Sequence, residues 1–305
     1  MTSLLLHARE GGVLRLTLND AATRNSLSEA MMAELHAALD DAAADRSVRV
    51  VVLAALGPAF SSGHNLKEIT ARRGDADKGA AYFAALFQAC AKLMMRVVSH
   101  PKPVIAEVAG LASAAGCQLV ASCDMAVAAD TARFCTPGVN IGLFCSTPMV
   151  ALSRNLSPKH AMEMLLTGDV FPAEDAFRMG LVNRVVPANE LSETVSALAA
   201  KIASKSMVTI RTGKEAFYRQ LDLPLEEAYA YTARVMTENL MQRDAEEGIA
   251  EAAGRTRPWC SWPRPRGMTR WPSSMPTARC LRSLGTMPWR MMPMWRAVPC
   301  RRSAA

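Results

Sequence analysis

The sequence predicts a layered α/β fold whose core is assembled from repeated right-handed strand–helix–strand units. Two observations carry this. Nearly continuous apolar runs recur at residues 48–54, 104–108 and 125–129, as strands buried on both faces require. Between and after them lie longer segments whose apolar residues repeat at helical spacing. The chain has 305 residues, half of them hydrophobic, enough to bury a substantial core.

The elements follow in order. Residues 13–18 alternate apolar and polar, the pattern of a half-buried strand. Residues 27–43 carry a helical period, with Ser26 or Ser28 as the cap candidate. The β-branched run at 48–54 gives a buried strand. Residues 80–98 form a long amphipathic helix that His100-Pro101 stops, because the residue before a proline avoids helical geometry. Strands follow at 104–108 and 125–129, with a short helix over 118–122 between them. From Leu191 onward the pattern is helical: 191–204, 208–219 and 225–242. Nucleotide-binding fingerprints are absent, since no GxGxxG follows a strand and no GxxxxGKS or GxxxxGKT occurs.

Composition divides the chain at residue 250. Residues 1–250 carry 24 Lys and Arg against 27 Asp and Glu, so the net charge of +7 is not a property of the body. Residues 251–305 hold 11 Arg, one acid, all five tryptophans and eight of the seventeen prolines, without helical or strand periodicity. Three readings apply to this segment: out-of-frame translation of a GC-rich gene, a disordered natural extension, or a basic arm that binds nucleic acid or membrane. No uncharged apolar run is long enough to span a bilayer, and the first ten residues lack a basic n-region. The cysteines show neither disulfide-framework nor metal-ligand spacing, which implies a reduced, cytoplasmic setting and no metal.

Two turns of small residues carry the chemistry. The first is Ala59-Phe60-Ser61-Ser62-Gly63-His64-Asn65-Leu66-Lys67-Glu68. The second is Gly110-Leu111-Ala112-Ser113-Ala114-Ala115-Gly116-Cys117-Gln118-Leu119. Small side chains let a backbone approach a ligand, and amides at a helix start point outward with positive polarity. Two such turns face to face would place two N–H donors on one oxygen that becomes negative during reaction.

These turns sit among further motifs: Thr23-Arg24-Asn25-Ser26-Leu27-Ser28, Lys102-Pro103-Val104-Ile105-Ala106-Glu107-Val108-Ala109-Gly110, Ser122-Cys123-Asp124-Met125-Ala126-Val127-Ala128, Leu166-Thr167-Gly168-Asp169 and Gly180-Leu181-Val182. In this order and spacing, over roughly residues 10–250, the chain resembles the enoyl-CoA hydratase/isomerase (crotonase) family. The resemblance implies a repeated ββα spiral core over residues 1–190 holding an acyl-CoA site. It also implies a C-terminal helical region over 191–250 that assembles homotrimers or hexamers. It implies a CoA thioester as ligand, no cofactor, no metal, and neither nucleic acid nor membrane as partner.

Residue by residue, the resemblance puts the two oxyanion donors at the amides of His64 and Ala115. Arg24 takes the place of a basic residue near the CoA phosphates, and Asn65, Leu66 and Lys67 form the turn that cradles the adenine. Arg24 reads equally as a solvated turn residue, and Lys67 as an exposed helix position. The two glutamates of family hydratases fall at Gln118 and Gly138, and neither is a carboxylate. Gln118 can bond a water but cannot take its proton. His64 and Cys145 are the candidate replacements, each also readable as a plain loop or core residue. Ser113, Asn140 and Phe144 are expected to line the acyl pocket. The expected function is thioester polarisation with weak hydration. Its alternatives are another enolate reaction (isomerase, hydrolase or decarboxylase) and acyl-CoA binding without turnover.

Overall fold

The alternation of buried strands with helices resolves into two sheets. The computed structural model describes residues 3–254. The strands are β1 (Leu5–Glu10), β2 (Val13–Leu18), β3 (Val50–Ala55), β4 (Ala59–Ser61), β5 (Val104–Val108), β6 (Leu111–Ser113), β7 (Met125–Ala129), β8 (Arg133–Cys135), β9 (Phe171–Pro172) and β10 (Arg184–Val186). The larger sheet runs β1-β2-β3-β5-β7-β10, and the smaller runs β4-β6-β8-β9. Each of β3, β5 and β7 in the larger sheet is followed at once by β4, β6 or β8 in the smaller, and then by helix. This is the expected repeated ββα core. The neighbours along β2-β3-β5-β7-β10 and β4-β6-β8 pair in parallel, so the ends of β4 and β6 lie side by side.

The helices are α1 (Glu29–Ala44), α2 (Leu66–Ala71), α3 (Ala80–Val98), α4 (Ala115–Ser122), α5 (Ser146–Asn155), α6 (Pro158–Thr167), α7 (Ala173–Met179), α8 (Leu191–Ala203), α9 (Met207–Gln220), α10 (Leu225–Leu240) and α11 (Arg243–Gly254). Ser28 caps α1 by accepting from the Met31 amide, which decides between the two serine candidates. Helix α3 has the length and hydropathy of a membrane span, yet it carries Lys92 and Arg96. Its Leu86, Cys90, Leu93, Met94 and Val97 are buried in the core. The short helix expected over 118–122 begins three residues earlier, at Ala115.

One core lies between the two sheets, α1, α3 and α4. A second covers the other face of the larger sheet, where Leu191, Val195, Leu198 and Ala199 of α8 pack on Val50, Val52, Ile105 and Val127. Helix α11 runs past the boundary expected at residue 250. Residues 255–305, with all three readings of that segment, lie outside the described residues.

The connection after α3 contains a buried histidine, His100. Its Nδ1 faces Lys102 O and its Nε2 faces Leu39 O, each at 3.0 Å, and the Lys102 amide lies 3.2 Å from Nδ1. Burial pushes its pKa down to about 4. The unfolded chain therefore binds a proton below about pH 6.5 that the folded chain refuses. Stability is fully present above that pH and is lost as pH falls towards 4, by about 3 kcal/mol once both states are protonated. Thermal melts from pH 7.5 to 4.5 check this: His100→Gln should flatten the decline.

Candidate active site

The first turn leaves β4 and enters α2 through Ser62, Gly63, His64 and Asn65. Asn65 accepts from the Lys67 amide at 3.0 Å and so caps α2, leaving Leu66 and Lys67 exposed on its first turn. The segment around Arg24 is sewn to this turn. Ser62 N–H donates to Arg24 O at 3.0 Å, Ser62 Oγ to Thr23 O at 3.1 Å, and Leu27 N–H to Gly63 O at 2.8 Å. Arg24, exposed and left-handed at φ 58°, therefore shares one rim with Asn65, Leu66 and Lys67. Buried Asn25, which sequence reasoning did not single out, holds that rim by donating to Leu56 O and Ala59 O.

The second turn leaves β6 and enters α4. Ala114 adopts φ 48°, ψ −115°, a conformation that ordinarily requires glycine and costs about 1–3 kcal/mol. Its own N–H is spent on Cys135 O at 2.9 Å. The reversal makes Ala115 the first residue of α4, where its N–H has no intrahelical acceptor.

The two turns touch. A Cβ on Gly63 would lie 3.0 Å from Ala114 Cβ and 3.3 Å from Ala115 N. A Cβ on Gly116 would overlap Ser61 O, so only glycine lets α4 approach β4 this closely. His64 forms an isolated parallel bridge with Leu27 in which Leu27 supplies the bonding N–H. In such a pair the other residue's amide faces the opposite way. The His64 N–H thus faces away from Leu27, and the structure brings the His64 and Ala115 amides to adjoining turns.

The side chains around them are short of acid–base groups. Gln118 is buried, and its Oε1 faces Cys90 Sγ of α3 at 3.9 Å. Its Nε2 has no protein partner among the described residues. Gly138 is sealed by its own loop: Leu143 N–H donates to Gly138 O, and a Cβ would overlap Leu143 O and lie 2.8 Å from Cys145 Sγ. No side chain fits there without moving backbone. Ser113 stands opposite Cys135 in the β6–β8 pairing, and the Asn140 amide faces Gly168 O at 3.5 Å. Phe144 is partly exposed.

Burial raises the thiols of Cys117, Cys135 and Cys145 above their ordinary pKa, so all three stay protonated at neutral pH. Of the two readings of Cys145, the inert buried thiol is the one its surroundings favour. His64 lies against the edge of Phe87 at 5.5 Å, and burial holds its imidazole below the usual range, hence neutral. Phe87 and Cys90 were illegible in the sequence because they belong to the general apolar stripe of α3. Among the described residues no group of His, Cys, Asp and Glu is arranged to hold a metal.

Residues 8–260 match the family model described as enoyl-CoA hydratase/isomerase. The chain belongs to the enoyl-CoA hydratase/isomerase family. It is 47% identical to enoyl-CoA hydratase domain-containing protein 3, mitochondrial, of Xenopus laevis, over 84% of this chain and 86% of that protein. Identity to the human protein of the same name is also 47%, over 81% and 80%. An enoyl-CoA hydratase structure from Mycobacterium smegmatis superposes with a TM-score of 0.80 at 47% identity, covering 84% of this chain and 98% of that one. The human enoyl Coenzyme A hydratase domain-containing protein 3 structure gives 0.79 at 45%, covering 84% and 99%. Proteins of this family bind CoA thioesters and are typically oligomeric.

The vertebrate relatives are named as mitochondrial proteins. This overturns the cytoplasmic expectation. Unpatterned cysteines report a thiol-reducing setting and do not choose between reducing compartments.

Proposed function

We propose that this protein binds an acyl-CoA and polarises its thioester carbonyl with the amides of His64 and Ala115. The supporting observation is the contact between the two turns through Gly63 and Gly116, which aligns a free helix-start amide with the amide after Gly63. Each such donor is worth about 2.7–4 kcal/mol to a developing oxyanion. Arg24, Asn65, Leu66 and Lys67 form the rim that meets the CoA, with Arg24 directed to its phosphates. Charge reversal in Arg24→Glu is expected to weaken CoA binding about tenfold at low salt, and less as salt screens it. Calorimetric titration of CoA at two ionic strengths reads both effects.

Hydration by the two-carboxylate route is crippled, because Gln118 cannot accept a proton and Gly138 has no room for a side chain. General acid–base groups contribute about 10²–10⁴-fold each. The expected result with crotonyl-CoA and the full chain is saturable binding, with decay of the conjugated-thioester absorbance at least about 10²-fold slower than for a two-glutamate hydratase. Decay at ordinary hydratase rates would refute this. The second reading, an acyl-CoA-binding protein without turnover, rests on the same two missing carboxylates and is supported if no thioester reacts.

Assembly as a homotrimer or hexamer belongs to the same reading. Phe217, Leu221, Leu225, Tyr229, Met236 and Met241 of the C-terminal helical region are exposed in the single chain. Exposed apolar residues concentrated in this way mark an interaction surface. Light scattering on the full chain gives the stoichiometry.

A further inference from the structure

The His64 amide belongs to a peptide unit whose other end is held. The unit carries Gly63 O on one side and His64 N–H on the other, and a planar trans peptide points the two in opposite directions. Leu27 N–H donates to Gly63 O at 2.8 Å. That bond therefore sets the direction of the His64 N–H. Hydrogen bonds in a chain also polarise one another, so the same bond strengthens the donor it aims.

The turn before Leu27 decides where its N–H stands. Arg24 and Asn25 are both left-handed, at φ 58° and 53°, a conformation that residues other than glycine seldom adopt and that asparagine tolerates well. Asn25 is fully buried, and its side chain is used at both ends. Nδ2 donates to Leu56 O at 2.7 Å and to Ala59 O at 2.8 Å, and Oδ1 accepts from the Asp20 amide at 2.8 Å. Leu56 follows β3, and Ala59 opens β4. A carboxamide supplies two donors and an acceptor at once, whereas a carboxylate brings no donor and a hydroxyl only one. One side chain thus ties residues 20–25 to the end of a strand in the larger sheet and to the start of a strand in the smaller. Leu27, two residues further on and itself buried, then meets Gly63.

We propose that Asn25 is a positioning residue for the His64 amide: it fixes the left-handed turn that brings Leu27 N–H onto Gly63 O, and so aims the oxyanion donor of the first turn. This rests on the thioester-polarising reading above. The two donors then differ in what aims them. The Ala115 amide is directed by the start of its own helix, α4. The His64 amide is directed by a segment far earlier in the chain. Disturbing Asn25 should weaken one donor and leave the other in place.

The test reads the carbonyl itself. Butanoyl-CoA labelled with 13C at the thioester carbon is bound to the full chain, with each protein at a saturating concentration. The infrared carbonyl stretch is compared with that of the free thioester. Wild type should move the stretch to lower wavenumber. Asn25→Gly keeps a left-handed backbone and removes all three side-chain bonds, and Asn25→Asp keeps the acceptor and removes the donors. Each should lose about half of the displacement, the share of one donor in two. Asp124→Ala, weakened at its ion pair with Lys214 and outside both turns, should keep all of it, which separates aim from general loosening. A folded Asn25→Gly with the full displacement overturns the proposal, and so does an equal loss in Asp124→Ala. If neither Asn25 variant folds, the side chain serves the fold at large and the positioning role is overturned. Wild type that does not bind butanoyl-CoA, or binds it without moving the stretch, overturns the underlying reading instead.

Discussion

Asp124→Ala is expected to destabilise the protein by about 3–5 kcal/mol, the usual consequence of removing one partner of a buried ion pair. Asp124 Oδ2 accepts from the Val104 amide at 2.7 Å and from Lys214 Nζ at 2.7 Å, and Oδ1 accepts from Tyr218 OH at 2.9 Å. Lys214 also donates to Val97 O and Lys102 O. The carboxylate thus joins α9 to the start of β5 and the end of α3. Burial holds the Lys214 ammonium below its ordinary pKa despite the attraction of Asp124, and it pushes the Tyr218 phenol up. The pair is costly to bury and costlier to break. Without Asp124 the ammonium keeps only two carbonyl acceptors, and the Val104 amide loses a side-chain partner.

Chemical denaturation of the full chain measures the loss. Lys214→Met alone should cost far less, because it removes the charge together with its desolvation. The double variant should recover part of the Asp124→Ala loss, a coupling the double-mutant cycle isolates. Equal losses for Asp124→Ala and Lys214→Met would show that the charge left behind is not the cause.

The core was legible because periodicity reports burial. Strand β5 and helix α3 were readable to the residue, and the step into α8 at Leu191 came from the same signal. The smaller sheet was not legible. Strands β4, β6 and β8 span three residues each, too few for a period to appear, and β9 contains a proline. Their parallel pairing depends on partners far apart in the sequence. The turns around Gly63 and Gly116 were readable as places of close approach, since small residues clustered after strands have few other uses. Side-chain destinations were not readable. The neighbours of Asn140 and Ser113, Gly168 and Cys135, come from partners far along the chain. The surroundings of the His64 ring emerge only when Leu27 and Phe87 are assembled around it.

If Gln118 and Gly138 stand where the proposed reading puts them, placing carboxylates at both is expected to fail to produce a hydratase. Gln118→Glu keeps the length of the side chain and should fold, with its new carboxyl buried beside Cys90. Burial raises a carboxyl pKa, so part of its basicity is lost as soon as it is introduced. Gly138→Glu meets a harder obstacle. Its Cβ would overlap the Leu143 carbonyl, a backbone atom held by the bond from Leu143 N–H to Gly138 O. Trimming Cys145 to alanine removes the 2.8 Å contact with Sγ and leaves the backbone overlap in place. Overpacking of this kind typically costs about 1–3 kcal/mol and shifts backbone. Here the shifted segment leads into α5.

The double variant should melt earlier than Gln118→Glu alone and gain less than about tenfold in crotonyl-CoA hydration, against the 10²–10⁴-fold each placed group can supply. Absorbance decay and a thermal melt on the same preparations decide it. A gain of a hundredfold or more, with the melting temperature unchanged, would show that the loop yields and that only side-chain identity separates this site from a hydratase. The geometry argues the opposite. The path of residues 138–145 encloses the place of any side chain at 138, so on the proposed reading a backbone route as well as residue identity keeps a second carboxylate out.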